Sequence, residues 1–198
     1  MKVSSTKSFL NMPCAHAQFF DKESDGSPGD CASLHGYDRS FHFKFTGVVD
    51  EMGWIYPFGE LKEVKQWLEY YFDHTVVLPA NDPRISSIPA GMTEQGGIIG
   101  TLRILPHGVS MEMSSIFVWE HVNAYIYKTS GGRVIVERIE IKEHERNSGM
   151  FETTYESAVN HAKRYLEYFD SFGTLPTHRY WDWESPYDAL GRIKGWMN

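Results

Sequence analysis

Residues 31–47 read CASLHGYDRSFHFKFTG, and the alternation inside this stretch sets the fold class. His35, Tyr37, Arg39, Phe41, Phe43 and Phe45 fall on one face, whereas Asp38, Ser40, His42 and Lys44 fall on the other. Successive side chains of a strand point to opposite sides of a sheet, so the pattern predicts a half-buried antiparallel strand with its aromatic side inward. The inward face ends at His35 and Tyr37, which puts these polar groups at the margin of a core.

Upstream, Lys7 to Phe20 reads as another strand, followed by a loop, DKESDGSPGD, dense in turn formers. Downstream, Asp50 to Gly53 reads as a turn, and Leu61, Val64, Leu68, Tyr71 and Phe72 recur at helical spacing in GELKEVKQWLEYYF. Residues 79–106 are rich in Pro and Gly and read as an insertion or lid. Ser110 can cap a second helix, MEMSSIFVWEHV, whose first turn holds Glu112 where the helix dipole favours an anion. A further strand is expected from Arg133 to Glu143, with Ile135, Ile139, Ile141 and Glu143 on one face. An amphipathic helix follows over about Thr154 to Phe169. Residues 154–198 form a C-terminal extension, and its tail carries Trp181, Trp183 and Trp196, expected to pack on the domain or on another subunit. This order of elements predicts one α+β domain over residues 1–198, an antiparallel sheet with helices on one face.

The bulk numbers agree with one domain and exclude some partners. The chain has 198 residues, 41% hydrophobic and 15% aromatic, enough for a real core. Its net charge is −7, without a lysine-arginine cluster, so a nucleic-acid groove is excluded for want of a basic footprint. No apolar run is long enough to span a membrane, and MKVSSTKSFLNMP lacks the apolar core of a secretory signal. The expectation is a cytoplasmic protein in which Cys14 and Cys31, the only cysteines, are free thiols.

Several residues could carry chemistry. His16 and His35 each sit beside a small residue on an expected strand, as metal ligands often do, but a tight divalent site takes at least three protein ligands. Cys14 shares a face with His16 and Tyr37 with His35, so either could contribute a third. Cys31 is a buried small hydrophobe or a reactive thiol, and spacing alone leaves this open. Asp73-His74 ends the first helix. There the histidine either complements the helix dipole or serves as an acid-base group whose tautomer Asp73 fixes. Adjacent side chains cannot bond within a regular helix, so the second role needs the helix to stop here. Glu143 either makes an ordinary ion pair or grips the amidine-like edge of a ring ligand through two parallel hydrogen bonds.

Taken in order, these residues resemble the 6-pyruvoyltetrahydropterin synthase and 6-carboxytetrahydropterin synthase family, over roughly Pro13 to Glu143. Ala15-His16 matches that family's first zinc histidine. Cys31, the spacer ASL and His35-Gly36-Tyr37 match its cysteine followed by H-G-H, with the spacer length of the carboxytetrahydropterin branch. Thr46-Gly47, WIYPFGELK, Asp73-His74, Glu112 and Glu143 in IKEHERN match further family positions. The resemblance implies a tunnelling fold (T-fold), assembled as a homo-oligomer with sites at subunit interfaces. It implies Cys31, Asp73 and His74 as catalytic groups, zinc on His16 and His35, and a pterin held by Glu143, with Glu112 as a further substrate-binding residue. The implied reaction makes 6-carboxytetrahydropterin, the queuosine precursor, from 7,8-dihydroneopterin triphosphate, releasing acetaldehyde and triphosphate. The alternatives are a related dihydroneopterin side-chain lyase with altered metal dependence, and a pterin- or purine-binding paralogue without turnover. Two positions depart from the family. Tyr37 stands where it has its third zinc histidine, and Pro57 where it usually has an aspartate.

Overall fold

A computed structural model describes residues 2–93, 96–106 and 108–170. The quoted stretch forms β2 (His35–Gly47), which pairs antiparallel with β1 (Val3–His16) on one side and with β5 (Val134–His144) on the other. Phe41, Phe43 and Phe45 are buried, as expected, and lie opposite Ile141, Ile139 and Val136 of β5. Aromatic side chains facing β-branched ones across strands are favourable sheet pairs, and burying each phenylalanine contributes roughly 1.5–3 kcal/mol. Over them pack α1 (Lys62–Phe72) and α2 (Met111–Thr129), with Phe72 5.0 Å from the Phe41 ring. Ser110 caps α2 as expected, its hydroxyl accepting from the Met113 N–H at 3.2 Å.

The complete sheet has six strands in the order β4-β3-β1-β2-β5-β6, adding β3 (Thr75–Pro79), β4 (Thr101–Leu105) and β6 (Asn147–Glu152). The α+β class stands. The sheet is mixed, however, because β3 runs parallel to both β1 and β4 while the other pairs are antiparallel. The amphipathic α3 (Tyr155–Asp170) packs on α2. No helix among the described residues is long and apolar enough to cross a membrane. The tryptophan tail lies outside the described residues.

Three local features differ from expectation, each for a backbone reason. The first strand ends at His16, and Phe19-Phe20 lies in a turn where Asp21 N–H bonds the Gln18 carbonyl. Within it the register shifts between Phe9 and Met12, around Asn11 at φ 63°. That bulge reverses the alternation, so Met12, Cys14 and His16 face inward opposite Arg39, Tyr37 and His35. A second bulge, at Glu137, breaks the alternation of β5 and places Ile135 opposite Thr46, yet Ile135 stays buried in the same core cluster as Ile139 and Ile141. Finally, residues 79–106 do not form a free lid. They supply β4 to the sheet edge, and Ile85, Ile88 and Ile99 pack with Ala17, Val76 and Leu78 as a second apolar cluster. Gly47 closes β2 where a Cβ would lie 2.3 Å from the Arg133 carbonyl oxygen, so only glycine lets β5 begin so close.

Candidate active site

The β1–β2 register sets His16 opposite His35, and their rings stand 4.3 Å apart, tilted by 53°. Glu143, from the end of β5, joins them: one ligand atom from each of the three lies within 4.8 Å of the others. His35 Nδ1 is 2.8 Å from the Ser33 carbonyl oxygen. A carbonyl only accepts, so Nδ1 carries the proton and Nε2 keeps its lone pair for a ligand. His16 is buried, and its Nδ1 has no hydrogen-bond partner. Burial, then the charges of Arg39 and His35, hold its pKa down to about 3, so the ring is neutral. Two imidazoles, one with an orphaned buried nitrogen, beside a carboxylate make a donor set that divalent metals take.

Of the two expected third ligands, Cys14 is not part of that group. Cys14 is buried in the core, with its sulfur 3.6 Å from the Ala15 carbonyl and 3.6 Å from Thr75 Oγ1. Burial raises its pKa, which disfavours the thiolate a metal needs. Tyr37 borders the group, its ring 5.7 Å from His35 and 6.2 Å from His16. The charge of Glu143, then burial and Cys31, push its phenol up, so it stays protonated.

Cys31 begins the approach to β2 on a short 3-10 turn, Asp30–Ala32, and its thiol is exposed. Slight burial, then the carboxylates of Asp21, Glu143 and Asp30, raise its pKa. It stands four residues before His35, and the charge of Glu143 reaches its thiol. Beneath the histidine-glutamate group lies Arg39, a residue that the alternation put on the inner face without assigning it a role. Its guanidinium is fully buried, 5.6 Å from the Phe72 ring, and donates to Ser114 Oγ at 3.3 Å and to the Val109 carbonyl at 3.4 Å. Burial lowers its pKa, while the charges of Cys14 and Glu143 support the cation. An arginine inside an otherwise aromatic stripe was the available signal.

Asp73 and His74 are built elsewhere, at the junction of α1 and β3. Asp73 is the helix C-cap, its N–H bonding the Glu69 carbonyl at 2.9 Å. His74 takes φ 54°, and its N–H bonds Pro13 O at 2.8 Å, turning the chain into β3. The left-handed conformation of a non-glycine residue carries a cost of about 1–2 kcal/mol. It frees the pair from helix geometry, so His74 Nδ1 donates to Asp73 Oδ1 at 2.7 Å, which leaves Nε2 as the basic nitrogen. The His74 side chain is 83% exposed. Its contact is with Asp73, not with the histidine-glutamate group. Glu112 lies in the first turn of α2, as expected.

Comparisons with known proteins agree with this architecture. No curated protein matches the chain. Among solved structures, an uncharacterized protein of Wolinella succinogenes superposes with a TM-score of 0.63 at 14% identity, covering 78% of this chain and 99% of the other. A catalytic-residue variant of Plasmodium vivax 6-pyruvoyltetrahydropterin synthase gives 0.55 at 15% identity, covering 77% and 99%. The Plasmodium falciparum enzyme gives 0.50 at 17% identity, covering 76% and 98%. At such identities these likenesses establish the fold. The 6-pyruvoyl tetrahydropterin synthase family itself matches residues 6–154, most of the chain, and the protein belongs to that family.

Proposed function

We propose that the protein is a lyase acting on the side chain of a dihydropterin. In its most specific form, 7,8-dihydroneopterin triphosphate and water become 6-carboxy-5,6,7,8-tetrahydropterin, acetaldehyde and triphosphate. The observation that carries the reading is the group of His16, His35 and Glu143, with Cys31 four residues before His35 and under the charge of Glu143, in a chain of this family. On this reading a zinc ion is held by His16 and His35, with Glu143 completing the set in place of the ligand absent at Tyr37. When bound, such an ion polarises substrate oxygens and acidifies neighbouring C–H bonds.

The chain's own residues supply the proton transfers. His74 Nε2 accepts a proton from a side-chain carbon, because Asp73 holds the other ring nitrogen protonated and stabilises the imidazolium that forms. Cys31, protonated at neutral pH because burial and three carboxylates raise its pKa, donates a proton and recovers it as the bonds rearrange. Arg39 helps keep His16 neutral and so able to serve as a ligand. Glu112, at the N-terminus of α2, is the remaining candidate for the pterin edge. Because His74 faces solvent in one chain, the reading requires a second copy to bring its Asp73-His74 pair to Cys31. The functional form is therefore a homo-oligomer.

The test is product analysis by mass spectrometry after incubation with 7,8-dihydroneopterin triphosphate, with and without added zinc. The expected result is a carboxytetrahydropterin peak that appears with metal and vanishes with chelator. Tight pterin binding without any conversion in the metal-loaded protein would replace this reading with that of a pterin-binding protein.

A further inference from the structure

Ile85, Ile88 and Ile99 pack on Val76 and Leu78 of β3, and Arg84 from the same segment touches the cysteine turn. A cavity of about 330 Å³ separates the two, lined by Ala32, Leu34, Val76, Leu78, Ile88 and Ile99. At its edge the Asp82 side chain is wholly buried and accepts four bonds from Arg84: from the backbone N–H at 2.9 Å, from Nε to both oxygens at 3.0 and 3.2 Å, and from Nη2 at 2.7 Å. Burial alone would raise the Asp82 carboxyl, but the bonds from Arg84 outweigh it and hold the pKa below the usual range. A two-pronged arginine-carboxylate contact fixes the guanidinium plane. The remaining prong, Nη1, donates to the Ala32 carbonyl at 2.6 Å.

Ala32 follows Cys31 directly, and the turn is held from two more sides. The Cys31 N–H donates to Asp21 Oδ2 at 3.0 Å, and its carbonyl accepts from the Gln18 N–H at 2.7 Å. Asp21 reaches this position only because residue 29 is glycine, since a Cβ there would sit 2.0 Å from Asp21 Oδ2. Covering Val76 and Leu78 explains the isoleucines of the segment. It does not explain a guanidinium committed to one buried carboxylate and one carbonyl of the thiol turn.

We propose that the Asp82–Arg84 pair is a positioning device for Cys31. The guanidinium, fixed on Asp82, pins the Asp30–Ala32 turn and thereby the direction in which the thiol leaves it. Arg84 is thus a positioning residue contributed by a segment with no other part in the site. Its relevance to turnover rests on Cys31 being the reacting thiol, as proposed above.

The test is the rate of Cys31 alkylation by iodoacetamide in the full-length protein, followed by peptide mass spectrometry, with buried Cys14 as the internal control. Arg84→Ala should raise the Cys31 rate about fivefold, because the exposed thiol is then no longer held in one direction by the lost hydrogen bond. Arg84→Lys, which keeps one donor but not the fork, should fall between it and the parent. Ile88→Ala, which loosens the apolar cover without touching the bonds, should leave the rate as in the parent. In turnover, Arg84→Ala should lower kcat about tenfold with KM unchanged. An unchanged alkylation rate in Arg84→Ala, or the same rise in Ile88→Ala, would overturn the proposal. If Arg84→Ala does not fold, the Arg84→Lys rate decides, with a rise supporting and no change refuting. Full turnover by Cys31→Ala would instead refute the catalytic reading of Cys31, while alkylation of the parent and Arg84 variants would still report whether the turn is pinned.

Discussion

The rim at His16, His35 and Glu143 and the corner at Asp73-His74 grow from neighbouring strands, yet they are finished to different degrees. At the rim, three strands of one chain converge, one imidazole is buried, and the ligand atoms already stand within 4.8 Å of one another. At the corner, a locally costly backbone aims a preset imidazole into solvent, and among the described residues its side-chain bond is to its own aspartate. A buried histidine is explained by packing or by a ligand. A strained, exposed, carboxylate-backed histidine is explained by neither, and it reads as half of a site. On the proposed function, the difference puts binding within the chain and proton abstraction between chains.

If this division is right, substitutions in the two regions fail in different ways. The largest effect is expected from Cys31→Ala, which should lower turnover by about 10³-fold or more while pterin and metal binding persist, measured by steady-state kinetics and by titration. Full activity in that variant would remove the thiol from the mechanism. His74→Ala should cost about 10²–10⁴-fold in kcat, the usual contribution of a general acid-base group, with metal content unaltered. Glu143→Gln belongs to the other region and should weaken zinc binding roughly 10–100-fold, read by competition with a chelator. Should it instead weaken only pterin binding, Glu143 grips the ring and the metal set must be completed by another group.

The smallest effect lies in the scaffold behind both regions. Burial, against the opposing charge of Glu120 and with that of Arg164, lowers the His161 pKa to about 4. The unfolded chain binds this proton from about pH 6.5 downward. Stability is therefore complete above that value and is lost as pH falls toward 4, by roughly 3 kcal/mol. His161→Phe keeps an aromatic ring against Trp119 and should flatten this acid dependence in thermal melts without altering the pH profile of turnover. An unflattened curve would assign the acid sensitivity to other groups.

Much of the scaffold was legible because period-2 and period-3.6 patterns survive in Phe41–Phe43–Phe45 and in α1. The break after Phe72 and the cap at Ser110 were legible from residue chemistry. The two bulges were not, since a register shift is set by pairing with a second strand and leaves no mark in composition. That is why the shift in register between Ile135 and Ile139 could not be foreseen, although Ile135, Ile139 and Ile141 are all buried in one core cluster. The site followed the same rule. His16, His35 and the Asp73-His74 bond were readable from local spacing, whereas the nearness of Glu143 to the histidines depends on strands about a hundred residues apart in sequence. The grip of Arg84 on the cysteine turn was hidden for the same reason, inside a segment whose Pro and Gly content suggested a lid.

Whether the active site is shared between chains can be decided by mixing two inactive proteins. Cys31→Ala and His74→Ala subunits, each inert alone, are dissociated, combined and reassembled, and turnover of 7,8-dihydroneopterin triphosphate is measured against their ratio. The account predicts that activity returns in the mixture and peaks near equal proportions, because some interfaces then pair an intact Cys31 with an intact His74. Mixed oligomers, verified by mass, that stay inactive at every ratio would contradict it.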